Sequence, residues 1–296
     1  MIESVTLNNG VVMPSIGVGV LQSSPGDTVV AVDSALRAGY RLVDAAAVWM
    51  NERQVGEGLR ASGVSRDEVF IATKVFATQY GYEKTLHAFD VATRKLGVTT
   101  IDVFMLHQSA PWMFDQTLEA YRALETLLGD GKIRAIGVSN FTGEHLDRLL
   151  NERTTVPAVN QIEFHPYFVQ HEIMAANDAL GIHTQAWSPL GGILSFAGFS
   201  GAAITSPLQD PAILDIAAAH DRTAAQVILR WHLQRGRSVI PKSIRLDRLN
   251  ENLRVNDFSL THEELALVDA LDRGARGGPD PDVENPPELM IPIPEE

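Results

Sequence analysis

Between Ile101 and Asn140 the chain runs Ile101-Asp102-Val103-Phe104-Met105-Leu106-His107, then an amphipathic stretch from Asp115 to Asp130 closed by Gly131, then Ala135-Ile136-Gly137-Val138-Ser139-Asn140. Two short, nearly continuous apolar runs around a helix-period segment predict two neighbouring parallel strands. A strand covered on both faces has no polar face to show, and a parallel partner is reached only through a crossover. The pattern recurs in both directions. Upstream the apolar runs are Ile16–Val20, Arg41–Ala45 and Val69–Val75; downstream they are Ala158–Glu163, His183–Ser188 and Ser238–Lys242. Helix-period segments separate them: Thr28–Ala38, Asn51–Ala61 and Glu83–Leu96 before, then Gly143–Leu150, Gln170–Leu180, Pro211–His220 with Ala224–Leu233, and Leu246–Leu253. Eight strand–helix pairs with short connections predict an α/β fold, a (β/α)8 TIM barrel, with residues 1–296 forming a single domain. Ser4–Leu7, Asn8-Asn9-Gly10 and Val11–Met13 read as an N-terminal β-hairpin plugging the base, the Asn-Gly pair supplying positive φ in the turn. Gly191–Pro207 and the Pro- and Gly-rich stretch from Ala275 onward fall where a barrel places a loop and a C-terminal tail over its mouth.

Charge and composition narrow the function. The 296 residues carry 24 Lys+Arg against 37 Asp+Glu, a net charge of −13, which argues against nucleic-acid or anionic-membrane partners because both need a basic face. With no cysteine there are no disulfides, thiolate–metal sites or cysteine nucleophiles. The nine histidines are scattered without a helix-face pair, so no metal site is expected. No apolar run reaches the ~18 residues of a membrane span, and the N-terminus lacks a basic region followed by an apolar stretch. The expectation is a cytoplasmic protein acting on a small molecule.

In a barrel the chemistry sits at the C-terminal strand ends. In chain order those ends carry Asp44, Lys74, His107, Ser139-Asn140, Gln161 with Glu163, Trp187-Ser188 and Lys242-Ser243. An acid, an ammonium and an imidazole converging inside one barrel shift one another's pKa, which is how a proton-transfer site is poised. A structural ion pair beside a core histidine is the plain alternative.

The strand ends also carry motifs. Gly39-Tyr40-Arg41-Leu42-Val43-Asp44-Ala45-Ala46 is followed by Asn51-Glu52; Ile71-Ala72-Thr73-Lys74-Val75 and Leu106-His107 come next. Then follow Gly137-Val138-Ser139-Asn140-Phe141, Asn160-Gln161-Ile162-Glu163-Phe164-His165-Pro166, and Ile240-Pro241-Lys242-Ser243 with Arg248 and Glu251-Asn252. In that order and over nearly the whole chain, these motifs resemble the aldo-keto reductase family, and within it the bacterial 2,5-diketo-gluconate-reductase-like members. The resemblance implies a monomeric, NADP(H)-dependent oxidoreductase with Asp44, Lys74 and His107 in the catalytic set. Lys242, Ser243 and Arg248 would hold a 2′-phosphate at the start of the last barrel helix, joining point charge, guanidinium fork and helix N-terminus. Ser139, Asn140 and Gln161 would clamp the nicotinamide carboxamide, Trp187 would stack on its ring, Ser188 and Leu190 would begin the loop over the pyrophosphate, and Glu251 and Asn252 would reach the adenine. Val20, Trp49, Phe76, His107, Gln108 and Trp112, with Met113 and Met290, would form an apolar, aromatic substrate pocket.

One departure bears on the chemistry. The family's general acid is a tyrosine five residues after the aspartate; this chain has Trp49 there, inside Asp44-Ala45-Ala46-Ala47-Val48-Trp49-Met50-Asn51-Glu52, and Ala45 where the family has Thr or Ser. None of Tyr40, Tyr80, Tyr82, Tyr121 and Tyr167 belongs to the motif. A positioned acid contributes roughly 10²–10⁴-fold to such a reaction, and an indole N–H donates a hydrogen bond without releasing its proton. Three readings follow. The protein is a reductase with another proton source, such as His107, Lys74, Tyr80 or Tyr82. Or its substrate is a C=N compound that arrives protonated, with Trp49 as a cation–π wall. Or hydride transfer is lost, leaving an NADP-binding sensor, a pseudoenzyme or a non-redox catalyst.

Overall fold

The computed structural model describes residues 3–191, 206–278, 280–282 and 291–295. Its strands alternate strictly. In β4 (Leu42–Asp44), β5 (Phe70–Val75) and β6 (Ile101–Leu106), Leu42, Phe70, Ala72, Val103 and Met105 join one buried apolar cluster. Their neighbours Val43, Ile71, Phe104 and Leu106 join a second cluster with the helices. This is the period of two expected of a pleated strand, with the first cluster inside the barrel and the second around it. Continuing the inner register by two residues brings Asp44, Lys74 and His107 to the same interior, one layer above Leu42, Ala72 and Met105. Inside the barrel, Gly137 has a packing reason: a Cβ there would stand 2.4 Å from Met105 Cγ.

The remaining barrel strands are β3 (Val18–Gly19), β7 (Ile133–Ser139), β8 (Val159–Glu163), β9 (His183–Trp187) and β10 (Ser238–Val239). All eight pair in parallel in chain order from β3 to β10. Parallel bridges Ile16↔Val239 and Gly19↔Lys242 join the first strand to the last and close the cylinder. The hairpin forms as expected: β1 (Ser4–Thr6) and β2 (Val12–Pro14) pair antiparallel, Gly10 takes φ 84°, and Leu7 and Met13 cap the inner cluster.

Helices α1 (Pro25–Ala38), α2 (Glu52–Ser62), α3 (Tyr82–Leu96), α4 (Phe114–Gly129), α5 (Gly143–Glu152), α6 (His171–Leu180), α7 (Pro211–His220), α8 (Ala224–Gln234) and α9 (Leu246–Leu253) match the helix-period segments to within a few residues. A further helix, α10 (His262–Asp269), was not anticipated, although Thr261 and Glu264 form its capping box.

Several strands end before their apolar runs do. β7 and β9 stop where Asn140 (φ 62°) and Ser188 (φ 46°) turn left-handed, a conformation that ends a strand. β10 stops short of Pro241, which has no N–H to give to a ladder. The C-terminal stretch divides. Gly277 and Gly278 cross the mouth against Glu163 and Trp187. Residues 291–295 instead descend the outside of α3: Thr78 Oγ1 donates to the Ile291 carbonyl (3.0 Å), Arg94 to that of Glu295 (3.0 Å) and Lys95 to that of Pro294. Met290 and residues 192–205 of the expected loop lie outside the described residues. Among the described residues no helix is long and apolar enough to cross a membrane, and no group of three His, Cys, Asp or Glu could hold a metal ion.

Candidate active site

The loop after β4 is built before its chemistry is. Ala47–Trp49 form a 3-10 turn, and Met50 takes φ 55° to leave it. Asn51 Nδ2 then donates to the Val20 carbonyl at 2.9 Å, and the buried Glu52 carboxylate accepts from Thr73 Oγ1 at 2.7 Å. The Asn-Glu pair thus ties the segment to the ends of β3 and β5 and fixes Trp49 over the barrel interior.

Below Trp49, Lys74 Nζ donates to Asp44 Oδ1 (2.8 Å), Asp44 Oδ2 (2.7 Å) and the Ala45 carbonyl (3.0 Å). Three acceptors match the three hydrogens of an ammonium. The same Nζ lies 4.6 Å from the centre of the Trp49 ring. Burial lowers the Lys74 pKa and raises that of Asp44, and in each case the partner's opposite charge is the main compensation. His107 stands edge-on to Trp49, ring centres 6.1 Å apart, and to Phe76 at 5.7 Å. Burial, helped by the Lys74 charge, holds its pKa well below 6.5, so the ring is neutral at ordinary pH. Its Nδ1 is buried without a hydrogen-bond partner among the described residues, which leaves Nε2 for the cavity.

That cavity, about 290 Å³, joins Trp49, His107 and Gln108 to Ser139, Asn140, Gln161, Trp187, Ser188, Leu190 and Lys242. Gln161 Nε2 donates to Asp44 Oδ1 (2.9 Å) and Gln185 Oε1 (2.7 Å), leaving Oε1 as its remaining acceptor. Ser139 Oγ donates to the Gln161 carbonyl (2.8 Å), Asn140 Nδ2 donates to the His107 carbonyl (3.0 Å), and Trp187 Nε1 donates to Asn140 Oδ1 (2.9 Å). The mouth polar groups therefore form one continuous chain from the Asp44–Lys74 pair to the Trp187 indole.

Some expected residues sit elsewhere. Val20 is fully buried on the helix side; the strand period turns Gly19 and Leu21 into the cavity instead. Phe76 lies buried behind His107, and Trp112 packs half-buried on the barrel's outer core, so neither lines the cavity. The alternative proton sources fare no better. Tyr80 is buried, donates to the Gln108 carbonyl (2.6 Å) and has a raised pKa from desolvation; Tyr82 faces Thr126 between α3 and α4. Leu21, Gln22 and Pro189 line the cavity unannounced, together with Gly191 of the expected loop and Ile240 and Pro241 of the last motif. Pro189 adjoins Trp187-Ser188, whereas Gln22, at φ 53°, gives no sequence signal.

At the far end, Lys242 and Arg248 are exposed with no ion-pair partner among the described residues, whereas Arg245 pairs with Asp247. The N-cap residue of α9, Arg245, gives it no side-chain cap; within the first turn the Asp247 carboxylate, paired with Arg245, lies against the Asp247 and Arg248 N–H groups beside these cations. Ser243 closes a local turn by accepting from the Arg245 N–H (3.1 Å). Glu251 accepts from Thr223 Oγ1 (2.6 Å), and Asn252 is buried against Tyr40. Ser243, Arg248, Glu251 and Asn252 therefore form a separate patch past the end of the cavity. Two exposed cations at a helix start, Lys242 and Arg248, unpaired among the described residues, and a cavity walled by the Trp187 and Trp49 indoles fit the two ends of an NADP(H)-type dinucleotide.

The comparisons with known proteins agree with this architecture. Residues 14–273 match the family model described as "Aldo/keto reductase family". The chain is 49% identical over 279 residues to morphine 6-dehydrogenase from Pseudomonas putida, covering 94% of each protein. It is 42% identical over 282 residues to glyoxal reductase from Bacillus subtilis, covering 95% of this chain and 96% of that one. A solved Bombyx mori aldo-keto reductase in complex with NADP superposes with a TM-score of 0.86 at 31% identity, covering 94% of this chain and 95% of the other. On sequence and fold together, the chain belongs to the aldo/keto reductase family.

Proposed function

We propose that this protein is an NADP(H)-dependent oxidoreductase of the aldo-keto reductase type that acts on an apolar or aromatic carbonyl or C=N substrate, with proton delivery altered by Trp49. The observation that carries this reading is the single cavity in which Trp49 and His107, above the Lys74–Asp44 pair, meet Ser139, Asn140, Gln161 and Trp187. NADPH, when bound, supplies the hydride. Lys242 and Arg248 at the start of α9 would hold its 2′-phosphate, Gln161 and Asn140 its carboxamide, and Trp187 its ring.

The relatives are named for morphine and for glyoxal, molecules of very different size, so their names leave the substrate class to the cavity. Trp49, Trp187, Leu21, Leu190 and Ile240 give it an apolar lining, which favours an apolar or aromatic substrate over a small polyol. Proton supply is the distinctive point. The Lys74 hydrogens are all engaged, His107 is neutral, and an indole N–H only polarises. These facts favour substrates that need little acid assistance, and they also motivate the second reading, an NADP-binding protein without redox turnover.

The test is an NADPH fluorescence titration followed by oxidation assays with aromatic aldehydes, ketones and cyclic imines, with Trp49→Tyr alongside. Binding with turnover of any of these by the wild type supports the reductase. Binding with turnover only after Trp49→Tyr supports the non-redox reading. Absence of NADPH binding rejects both.

A further inference from the structure

Glu163 ends β8 as a fully buried carboxylate that the reaction does not use. Its Oε2 accepts from the Gly278 N–H at 2.9 Å, and its Oε1 accepts from the Gly277 N–H at 2.7 Å, with His165 Nε2 at 3.1 Å. Two successive backbone N–H groups on one carboxylate are charge-assisted bonds, among the stronger a protein makes. They pull the C-terminal stretch down onto the barrel mouth at one defined point.

What that point touches is the indole. Glu163 is the register partner of Trp187 on β9, so carboxylate and indole leave adjacent strands at the same level. Gly278 lies against both: a Cβ on it would stand 2.3 Å from Trp187 Cη2 and 3.2 Å from Glu163 Oε2. No side chain fits there unless the ring or the strap moves. At its other end the same indole is held by Nε1 donating to Asn140 Oδ1 at 2.9 Å. The ring is therefore fixed at two opposite edges, by Asn140 and by the glycine that Glu163 seats.

We propose that Glu163 is a positioning residue for the cofactor's nicotinamide end: through Gly277 and Gly278 it sets the plane of the Trp187 ring. This rests on the reading of Trp187 as the nicotinamide platform. It assigns the C-terminal stretch a role in cofactor geometry, carried by backbone N–H groups and an absent side chain.

The experiment compares Glu163→Gln and Gly278→Ala in the full chain, by fluorescence titration with two probes. One probe is NADPH; the other is 2′-phosphoadenosine 5′-diphosphoribose, which keeps the adenosine and phosphates but lacks the nicotinamide. The expected result is that both variants weaken NADPH binding by roughly three- to tenfold, the scale of one spoiled aromatic contact, while binding the second probe as the wild type does. Weakening of both probes alike signals a general structural role and overturns the proposal; unchanged NADPH binding in both variants also overturns it. Trp187→Ala separates the two layers. If it binds NADPH like the wild type, the platform reading itself fails. If it weakens NADPH while Glu163→Gln and Gly278→Ala do not, the platform stands and only the role of Glu163 falls.

Discussion

The Lys74 ammonium lies 4.6 Å from the centre of the Trp49 ring, with its three acceptors supplied by Asp44 and the Ala45 carbonyl. A buried ammonium normally needs full hydrogen bonding to offset its desolvation, and this one has it without any group from the cavity. The indole adds a cation–π contact on the cavity side. The Asp44–Lys74 pair is thus structurally complete. Its charge reaches the cavity through Trp49, His107 and Gln161, whose Nε2 donates to Asp44 Oδ1.

Replacing Trp49 by tyrosine puts a phenol above this pair. Lys74 can then favour the phenolate and make the phenol a usable acid. The expected gain in kcat/KM for aromatic aldehydes and ketones is roughly 10²–10⁴-fold, the usual worth of a positioned acid. Trp49→Phe, which opens space without an acid, should give no such gain. Steady-state NADPH oxidation with all three proteins decides it. Equal rates for Trp49→Tyr and Trp49→Phe would show that the missing acid is not what limits the enzyme.

The cations at the start of α9 should discriminate between cofactors. Lys242→Ala and Arg248→Ala each remove a charge-assisted contact to a 2′-phosphate, so NADPH should bind about 10- to 100-fold more weakly in each. NADH, which lacks that phosphate, should be affected far less. Both side chains are exposed, so the effect should shrink as salt rises. Parallel titrations with the two cofactors at low and high salt test it, and equal losses for both would remove the phosphate assignment.

The inward register was the legible part of the site. Once strands are read with period two, Asp44, Lys74 and His107 follow from Leu42, Ala72 and Met105. The same rule argued against Val20, because a one-residue step moves a side chain from the cavity to the helices; Leu21 stands where Val20 was expected. Asn140 and Ser188 end their strands early through positive φ; asparagine is among the non-glycine residues that favour it, whereas serine gives no such signal. The helix at His262–Asp269 had its Thr261–Glu264 capping box in plain view. The strap on Glu163 was not legible, because Gly277 and Gly278 bind through backbone N–H groups and meet β8 across more than a hundred residues of chain.

Gly137 makes room for Met105 inside the barrel, where an added Cβ would come within 2.4 Å of Met105 Cγ. Gly137→Ala should therefore cost about 1–3 kcal/mol through overpacking. Met105→Ala should cost about 2–5 kcal/mol through the cavity it leaves. Together they should cost less than the sum by about 0.5–3 kcal/mol, since the second change removes the atom that clashes with the first. Urea unfolding of the four proteins measures this coupling; additivity would place the strain of Gly137→Ala elsewhere.

His183 opens β9, and burial pushes its imidazole down to about 4 while Nε2 meets Ser238 Oγ at 2.9 Å. The folded protein therefore binds this proton less readily than the unfolded chain, whose histidines titrate near ~6.5. A depressed pKa of this kind leaves its stability contribution intact above about pH 6.5, and that contribution is lost as pH falls from there towards about 4. His107 and His232 are also pushed down by burial and act in the same direction. The wild type should lose stability on going from about pH 7 to about pH 5, with roughly 1–2 kcal/mol of the loss due to His183. His183→Gln keeps a polar group near Ser238 and cannot take up the proton, so its unfolding curves should show a loss smaller by that amount. If urea midpoints of wild type and variant fall in parallel between the two pH values, His183 is not held neutral in the fold.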